Sequence, residues 1–487
     1  MRSQWQIVIL WIWVGVQFIN WVPTRNEEMY FALARQFMHP DWAPWSFHFT
    51  EFPGARLLFQ YFAGYFLGFT SFELFAALGR AVLILLLVWP LNFIFRKLGF
   101  RLIVQLVVLQ LFIFWDQAYF AGGWIFSGIE AKGFSHILIL WAVYALFFEK
   151  HIWAVFLAAM ACCFHILVGG WFAVGLGVYF VMKREKIKHL LIYAVLFVIL
   201  TAPFVYYLAT GVLLNDRTVI EGVNLDEVYV FLRNPHHTGI YRPWSQFADK
   251  HLWPVITLLL SFTISFWLKS GSVTFKTLKM IFQAIAGMVL FNVMVGAFDN
   301  HGAFLKFYPF RMAVMALLLF IMLTVVWLQH QMVDKFYKNL TILLFLIPVI
   351  PSLAWNVQIN MNQIKGGKAF REQMQPLYKA AIDVSQPKEV FLFYDVEKWD
   401  SNLDFIRRTC RERFFVYKFV PAGGEKLFDW YQRFRFWQAV QKDLHQLFEP
   451  HPYHIDYLIS RHELSHPGLE KLTTVGEYSI YGIVKQQ

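Results

Sequence analysis

The sequence predicts a mostly α-helical, polytopic membrane bundle of about eleven spans that carries a small α/β domain at its C-terminal end. Composition is the first reason: 58% of the residues are hydrophobic and only 15% are charged, against roughly 25% charged in soluble domains. The second is the alternation of long apolar runs with short basic loops, and the third is a change to polar composition beyond Trp355.

The first apolar run, Trp5 to Val22, is long enough to cross a bilayer core. Only Arg2 precedes it and no small-residue cleavage site follows, so it is expected to stay as a signal anchor. Further runs cover 74–95, 102–115, 134–148, 152–166, 167–182, 190–208, 253–268, 280–297, 310–328 and 340–356. Leu57 to Phe72 is also apolar, but a full span there would reverse every later loop. Its aromatics and glycines (Tyr61, Gly64, Tyr65, Gly68) suit a juxtamembrane helix in the outer leaflet, since aromatic side chains collect at the membrane interface.

Residues 365–487 read as helices near 368–383 and 425–447, with strand-type runs at Val390–Tyr394, Phe414–Val420, Ile455–Ser460 and Tyr478–Val484. The division is therefore a membrane domain over 1–360 and a soluble domain over 361–487. Its Arg and aromatic side chains (Arg407, Arg408, Trp430, Tyr431, Arg433, Arg435, Trp437) read first as an ordinary surface and second as a surface for a polyanion or sugar. Cys162 and Cys163 lie in an apolar run and Cys410 stands alone, so no disulfide framework is legible.

The formal charge of +11 does not point to nucleic acid, because the cations fall in loops between apolar runs. Arg2, Arg96, Lys97, Arg101, Lys150, the run Lys183–His189, Lys269, Lys276, Lys279, Lys335 and Lys338 share one side if the N-terminus is cytoplasmic. The positive-inside rule makes that side the inner one. Outer loops then cover 23–73, 116–133, 209–252 and 298–309, the C-terminal domain is extracytoplasmic, and the acids Glu27, Glu28, Asp41, Asp116, Glu130, Asp216, Glu221, Asp226, Glu227 and Asp299 gather outside.

The stretch Asn26 to Trp42, at the exit of the first span, places Glu27, Glu28 and Asp41 at a membrane boundary. They are either solvated loop charges or a base or metal ligand facing a lipid-borne substrate. Arg311, after Tyr308-Pro309-Phe310 at the mouth of an apolar helix, is either a headgroup anchor or a bidentate phosphate ligand, with Lys132 and Lys306 in adjacent loops. The loop 209–252 carries Arg233-Asn234-Pro235-His236-His237 and Arg242-Pro243-Trp244, for which plain loop structure, phosphate or sugar binding, and metal binding stand as alternatives. His165 lies within a membrane run, where a titratable group is either functional or internally satisfied. Glu73 and Arg80 share one helix and either anchor it or pair across the bundle. No P-loop, dinucleotide fingerprint, HExxH or G-x-S-x-G occurs in a supporting context.

The acidic-type pair Asn26-Glu27, Tyr30 four residues on, Ala34-Arg35 and Asp41-Trp42 resemble the first outer loop of the GT-C superfamily of integral membrane glycosyltransferases, which includes aminoarabinose and protein mannosyltransferases. Leu57–Phe69 looks like that family's aromatic amphipathic stretch, Arg80 like its arginine near the top of the second helix, and Glu130 like the acid that ends its second outer loop. The motifs cover about 26–80 and the neighbourhood of 130, and the chain looks most like a bacterial branch with the Arg-x-Pro-His-His segment. It departs from the family at Asn26, where the usual catalytic acid belongs. The base role then passes to Glu27, Glu28 or Asp41, or the activity is lost.

The resemblance implies a multi-pass protein of the bacterial inner (plasma) membrane that moves a sugar from a polyprenyl-phosphate donor to a glycan, lipid or protein acceptor outside. Such chemistry needs a base for the acceptor hydroxyl and positive groups for the departing phosphate. The expected phosphate and substrate ligands are Arg80, Glu130, Lys132, His165, His236, His237, Arg242 and Arg311. A divalent metal, Mg or Mn, would be held by Glu27, Asp41 and Glu130. A lipid transporter or flippase is the rival reading, against which no internal repeat is legible. A non-catalytic envelope component is the third.

Overall fold

The computed structural model describes residues 2–50, 56–211, 218–332, 335–395, 404–419, 421 and 423–484. Asp216, expected in an outer loop, lies outside these residues, as do the side chains of Arg2, Lys335 and Lys338.

The apolar runs all fall on helices. α1 (Arg2–Phe18) leads through a short extended segment to α2 (Arg25–Met38) and α3 (Leu57–Leu67). With 11 residues, α3 is about 17 Å long, too short to cross a bilayer. It lies on α2 through edge contacts of Tyr30 with Phe59 and Phe37 with Tyr61 and leaves Tyr61, Phe62, Tyr65 and Phe69 exposed. Then follow α4 (Phe72–Lys97), α5 (Leu102–Phe114), α6 (Ala131–Leu146), α7 (His151–Phe164), α8 (Ile166–Met182) and α9 (Ile187–Gly211). A hairpin of β1 (Val219–Ile220) and β2 (Val223–Asn224), α10 (Leu225–Glu227) and a π-type turn over Val228–Arg233 build the next loop. α11 (Trp244–Lys250), α12 (Leu252–Trp267), α13 (Val273–Ala297), α14 (Ala313–Gln331) and α15 (Lys335–Val384) complete the helical part.

By length and composition, Phe72–Lys97, Ile187–Gly211, Val273–Ala297, Ala313–Gln331 and Leu344–Val384 can cross a membrane, and the other apolar helices are shorter. α9 shows what surrounds the bundle: Ile199 and Tyr206 are 64% and 72% exposed, among a nearly continuous apolar outer surface. Such a surface is stable in lipid and not in water. α7 and α8 form a tight hairpin, because a methyl group at Gly169 would collide with the backbone of Cys162.

The C-terminal domain contains β3 (Val390–Phe393), α16 (Asp404–Thr409), β4 (Glu412–Arg413), α17 (Gly424–Lys442), β5 (Tyr457–Ser460), β6 (Leu469–Val475) and β7 (Tyr478–Ile483). Its sheet has the order β4-β3-β5-β7-β6, with β3 parallel to both neighbours and β5, β7 and β6 antiparallel. Trp430, Phe434 and Trp437 on α17, at helical spacing, pack against Phe415 and Tyr417. The strand expected over 414–420 is a loop across 414–419, and Val420 lies outside the described residues. The sheet's edge strand ends at Arg413, and Phe414, Phe415, Val416 and Tyr417 are all buried, a pattern without the two-residue alternation of a half-covered strand.

Among the seams that join this domain to the bundle are two at the start of α4 and after α2. Glu73 Oε1, at the start of α4, receives Arg371 of α15 and Arg407 and Arg408 of α16 at 2.6, 2.9 and 3.0 Å. His48, buried in the loop after α2, donates from Nε2 to the Arg413 carbonyl at 3.0 Å.

Candidate active site

The exit of α1 is tied into a knot around Glu27. Thr24 caps α2: its hydroxyl accepts from the Glu27 amide at 3.2 Å, and Glu27 Oε2 accepts from the Thr24 amide at 2.7 Å. This reciprocal box satisfies two of the open amides at a helix start. The same carboxylate, fully buried, forms a two-point ion pair with Arg80 of α4, through Nε at 3.0 Å and through Nη2, and accepts the Ile129 amide at 2.7 Å. Gly128 permits this approach, since a methyl there would overlap the Glu27 carboxyl. Arg80 directs its remaining donors to the carbonyls of Val22 at 2.7 Å, Asn20 at 3.3 Å and Phe18 at 3.4 Å. Four donors on the two oxygens of Glu27 and a fully engaged guanidinium make this pair a clasp between α1, α2, α4 and the segment before α6.

Asn26 faces the other way, about 100° around the helix from Glu27, and donates from Nδ2 to Glu130 Oε1 at 3.1 Å. Glu130 is the residue before α6, where a helix N-terminus favours negative charge, and its Oε2 pairs with Lys132 Nζ at 3.2 Å. Both side chains are buried, at 3% and 6% exposure, and the Lys132 ammonium lies over the Trp124 ring, 2.9 Å from its centroid.

Arg311 enters from the loop before α14. Tyr308, with φ 52°, turns the chain, and Asn292 donates to the Pro309 carbonyl at 2.8 Å to hold the turn. The Arg311 guanidinium stacks 4.4 Å from the Tyr308 ring centre, and its buried Nε has no partner among the described residues. Tyr308 and Tyr229 hydroxyls stand 3.2 Å apart. Arg311 is an electrostatic neighbour of Tyr30, Lys132, His165, His236 and His237.

The adjacent His236 and His237 rings lie side by side, their centres 4.0 Å apart, because the backbone between Asn234 and Gly239 is an irregular turn. His237 Nδ1 is 2.8 Å from the Ala121 carbonyl. Burial, reinforced by Arg311, holds His237 well below the usual imidazole range, and burial beside Arg233 holds His236 down to about 4. Both rings are neutral at pH 7, so they offer hydrogen bonds rather than positive charge. His165 ends the α7–α8 hairpin, accepting the Val168 amide at its Nδ1 at 3.4 Å, with Arg311, Lys132 and Arg56 as electrostatic neighbours.

Asn26, Glu130, Lys132, His165, His236, His237 and Arg311 therefore gather around one region. Glu28, Asp41, Arg242 and Arg80 do not. Glu28 faces the C-terminal domain, where burial and then Asp404 push it up to about 8. Asp41 is exposed on a turn. Arg242 donates to the Asn300 carbonyl at 2.7 Å and covers the Phe231 ring, fastening its own loop. Lys306 pairs with Asp226 at 2.9 Å. Glu27, Asp41 and Glu130 do not form the expected metal ligand set, since Glu27 is clasped by Arg80 and Asp41 points to solvent. Among the described residues no three His, Cys, Asp or Glu side chains stand together as a metal site.

Sequence reasoning missed Arg56, whose guanidinium lies 4.8 Å from the Tyr30 ring centre, and also Trp124, Tyr229 and Lys418. None carries a local pattern; each is defined only by partners far along the chain. An apolar groove of about 800 Å³ runs between α8 and α9, with Phe304 and Phe307 at one end and Phe180, Leu190 and Tyr193 at the other. Trp171 at its rim donates to the Phe307 carbonyl at 2.8 Å.

No family model and no curated protein matches the chain. Among solved structures it is similar to the crystal structure of ArnT from Cupriavidus metallidurans bound to undecaprenyl phosphate. The two are 12% identical, the match covers 98% of this chain and 96% of that one, and the TM-score is 0.33.

Proposed function

We propose that the chain is an integral membrane glycosyltransferase of the GT-C type, which transfers a sugar from a polyprenyl-phosphate donor with Glu130 as the base. One observation carries this reading: Glu130, a buried carboxylate, is oriented by Asn26 and Lys132, and Lys132 and Arg311 bring positive charge to the same region.

The chemistry follows from that arrangement. Glu130 takes the proton of the acceptor hydroxyl, whose oxygen forms a bond to the anomeric carbon as that carbon's bond to the phosphate oxygen breaks. The bonding pair leaves with the phosphate, and Arg311 and Lys132 receive the charge that develops there. Arg311 supplies a planar fork suited to two phosphate oxygens. The apolar groove takes the donor's hydrocarbon chain, its end at Phe304 and Phe307 lying in the loop that carries Arg311.

The departure at Asn26 fits this assignment. A carboxylate 3.1 Å from Glu130 would repel it strongly in a buried site, whereas the amide donates and fixes its direction. Glu27, by the same reading, serves structure rather than proton transfer.

The test is a transfer assay with purified protein and a labelled polyprenyl-phosphate sugar. Glu130→Gln should lower turnover by about 10²-fold or more, as loss of a general base does, with donor binding retained. Wild-type turnover in that variant refutes the assignment. The groove is also the feature that favours lipid transport, and the assay separates the two readings, since a transporter releases no free polyprenyl phosphate.

A further inference from the structure

The seam between the bundle and the C-terminal domain holds a second pair of cations that the transfer step leaves unused. Arg233 ends the π-type turn after α10 and is 3% exposed. Its Nη2 donates to the Lys418 carbonyl at 3.0 Å, and its guanidinium lies 5.2 Å from the Tyr417 ring centre. Its Nε is buried without an acceptor, and no carboxylate among the described residues pairs with it. Tyr417 donates to the Leu232 carbonyl at 2.6 Å, so the domain loop is fastened to the turn by bonds on two successive residues. These bonds hold Lys418 beside Arg233, with Glu130 and Arg25 as further electrostatic neighbours. The Lys418 ammonium has no hydrogen-bond or ion-pair partner among the described residues.

The buried Arg233 guanidinium, with one donor unfilled, and the half-buried Lys418 ammonium beside it repel each other. Burying charge is strongly unfavourable unless an opposite charge completes the site. We propose that Arg233 and Lys418 together bind an oxyanion, a phosphate or carboxylate, so that the C-terminal domain supplies part of the binding site through Lys418. The identity of the molecule carrying that oxyanion rests on the transferase reading: it is either the donor's own phosphate or an anionic group on the acceptor. The site itself does not depend on that reading.

Lys418→Gln removes the ammonium while leaving the backbone carbonyl that Arg233 holds. The full chain, purified in detergent at constant ionic strength, is titrated with inorganic phosphate by equilibrium binding, and separately with a polyprenyl phosphate. Saturable phosphate binding by the wild type, weakened about 10-fold or more in Lys418→Gln and restored in Lys418→Arg, is the expected result. If polyprenyl phosphate binds the variant as it binds the wild type, the oxyanion belongs to the acceptor; if both affinities fall together, it is the donor's phosphate. A pH series gives an independent readout. Burial and Arg233 lower Lys418 to about 8, so binding should fall above that pH in the wild type and not in Lys418→Arg. His236, already neutral there, contributes no such change, and Lys132, Glu130, Arg25 and Arg233 are common to both proteins. No saturable phosphate binding by the wild type, or wild-type phosphate affinity in Lys418→Gln, overturns the proposal. An active Glu130→Gln enzyme with phosphate binding intact would overturn the transferase mechanism alone.

Discussion

Glu27 and Asn26 show how far one turn of helix can separate roles that the sequence places side by side. Glu27 reads as a catalytic acid because it stands at the membrane exit, yet its oxygens are filled by Arg80, Ile129 and Thr24. Removing one partner of a buried ion pair leaves the other uncompensated, at a cost of about 3–5 kcal/mol. Glu27→Gln should therefore lower the yield and melting temperature of purified protein, while the molecules that do fold keep their turnover. A variant with wild-type melting and no turnover would return the base role to Glu27. The pair Asn26–Glu130 could not be read from spacing, because 104 residues separate its members. Glu130 entered the expected set through the resemblance, as a substrate or metal ligand rather than as the base.

At the scale of elements, long apolar runs were readable and short polar ones were not. α3 was expected as a helix that does not span, because a span there would reverse the later loops and because of its aromatics and glycines, whereas β6, with the sequence Leu-Glu-Lys-Leu-Thr-Thr-Val, lacks a clear apolar face and was missed. The loop after α2 and strand β4 meet in a seam that only the fold reveals. There His48 Nε2 lies 3.5 Å from Glu412 Oε1, both side chains buried. Burial pushes Glu412 up to about 8 and holds His48 down to about 3, so both are neutral at pH 7. A carboxyl with a raised folded pKa contributes stability that is complete below its ordinary 4.5 and is lost as pH rises through about 8. His48 has the opposite sign: its contribution is complete above its ordinary 6.5 and is lost as pH falls towards about 3. Glu412→Gln should thus flatten the decline in melting temperature between pH 4.5 and 8. A pH–stability curve that superimposes on the wild type would show that Glu412 is not protonated in the fold.

For the whole molecule, composition alone fixed the class, and the basic loops predict a cytoplasmic N-terminus with the C-terminal domain outside. Alkaline phosphatase fused after Gln487 should be active in cells, and an inactive fusion with a stable protein would reverse the orientation. The division expected at residue 360 falls inside α15, which runs unbroken for 50 residues. The polar side chains around it serve a neighbour: Asn360 donates to the Val16 and Ile19 carbonyls at the end of α1, each at 3.1 Å. α15 is thus fastened at Asn360 to α1 and again at Arg371 to Glu73, and the number of residues between the two fastenings sets an angular phase, like the cut of a key. One alanine inserted between Gly366 and Gly367 turns everything beyond it by about 100° and raises it by about 1.5 Å, carrying Arg371 away from Glu73. Gly366→Ala, which meets nothing within 4 Å, keeps the phase. The insertion should release the C-terminal domain to limited proteolysis and the substitution should not; equal resistance of the two would mean that the domain is held without regard to the rotation of the shaft on which it is mounted.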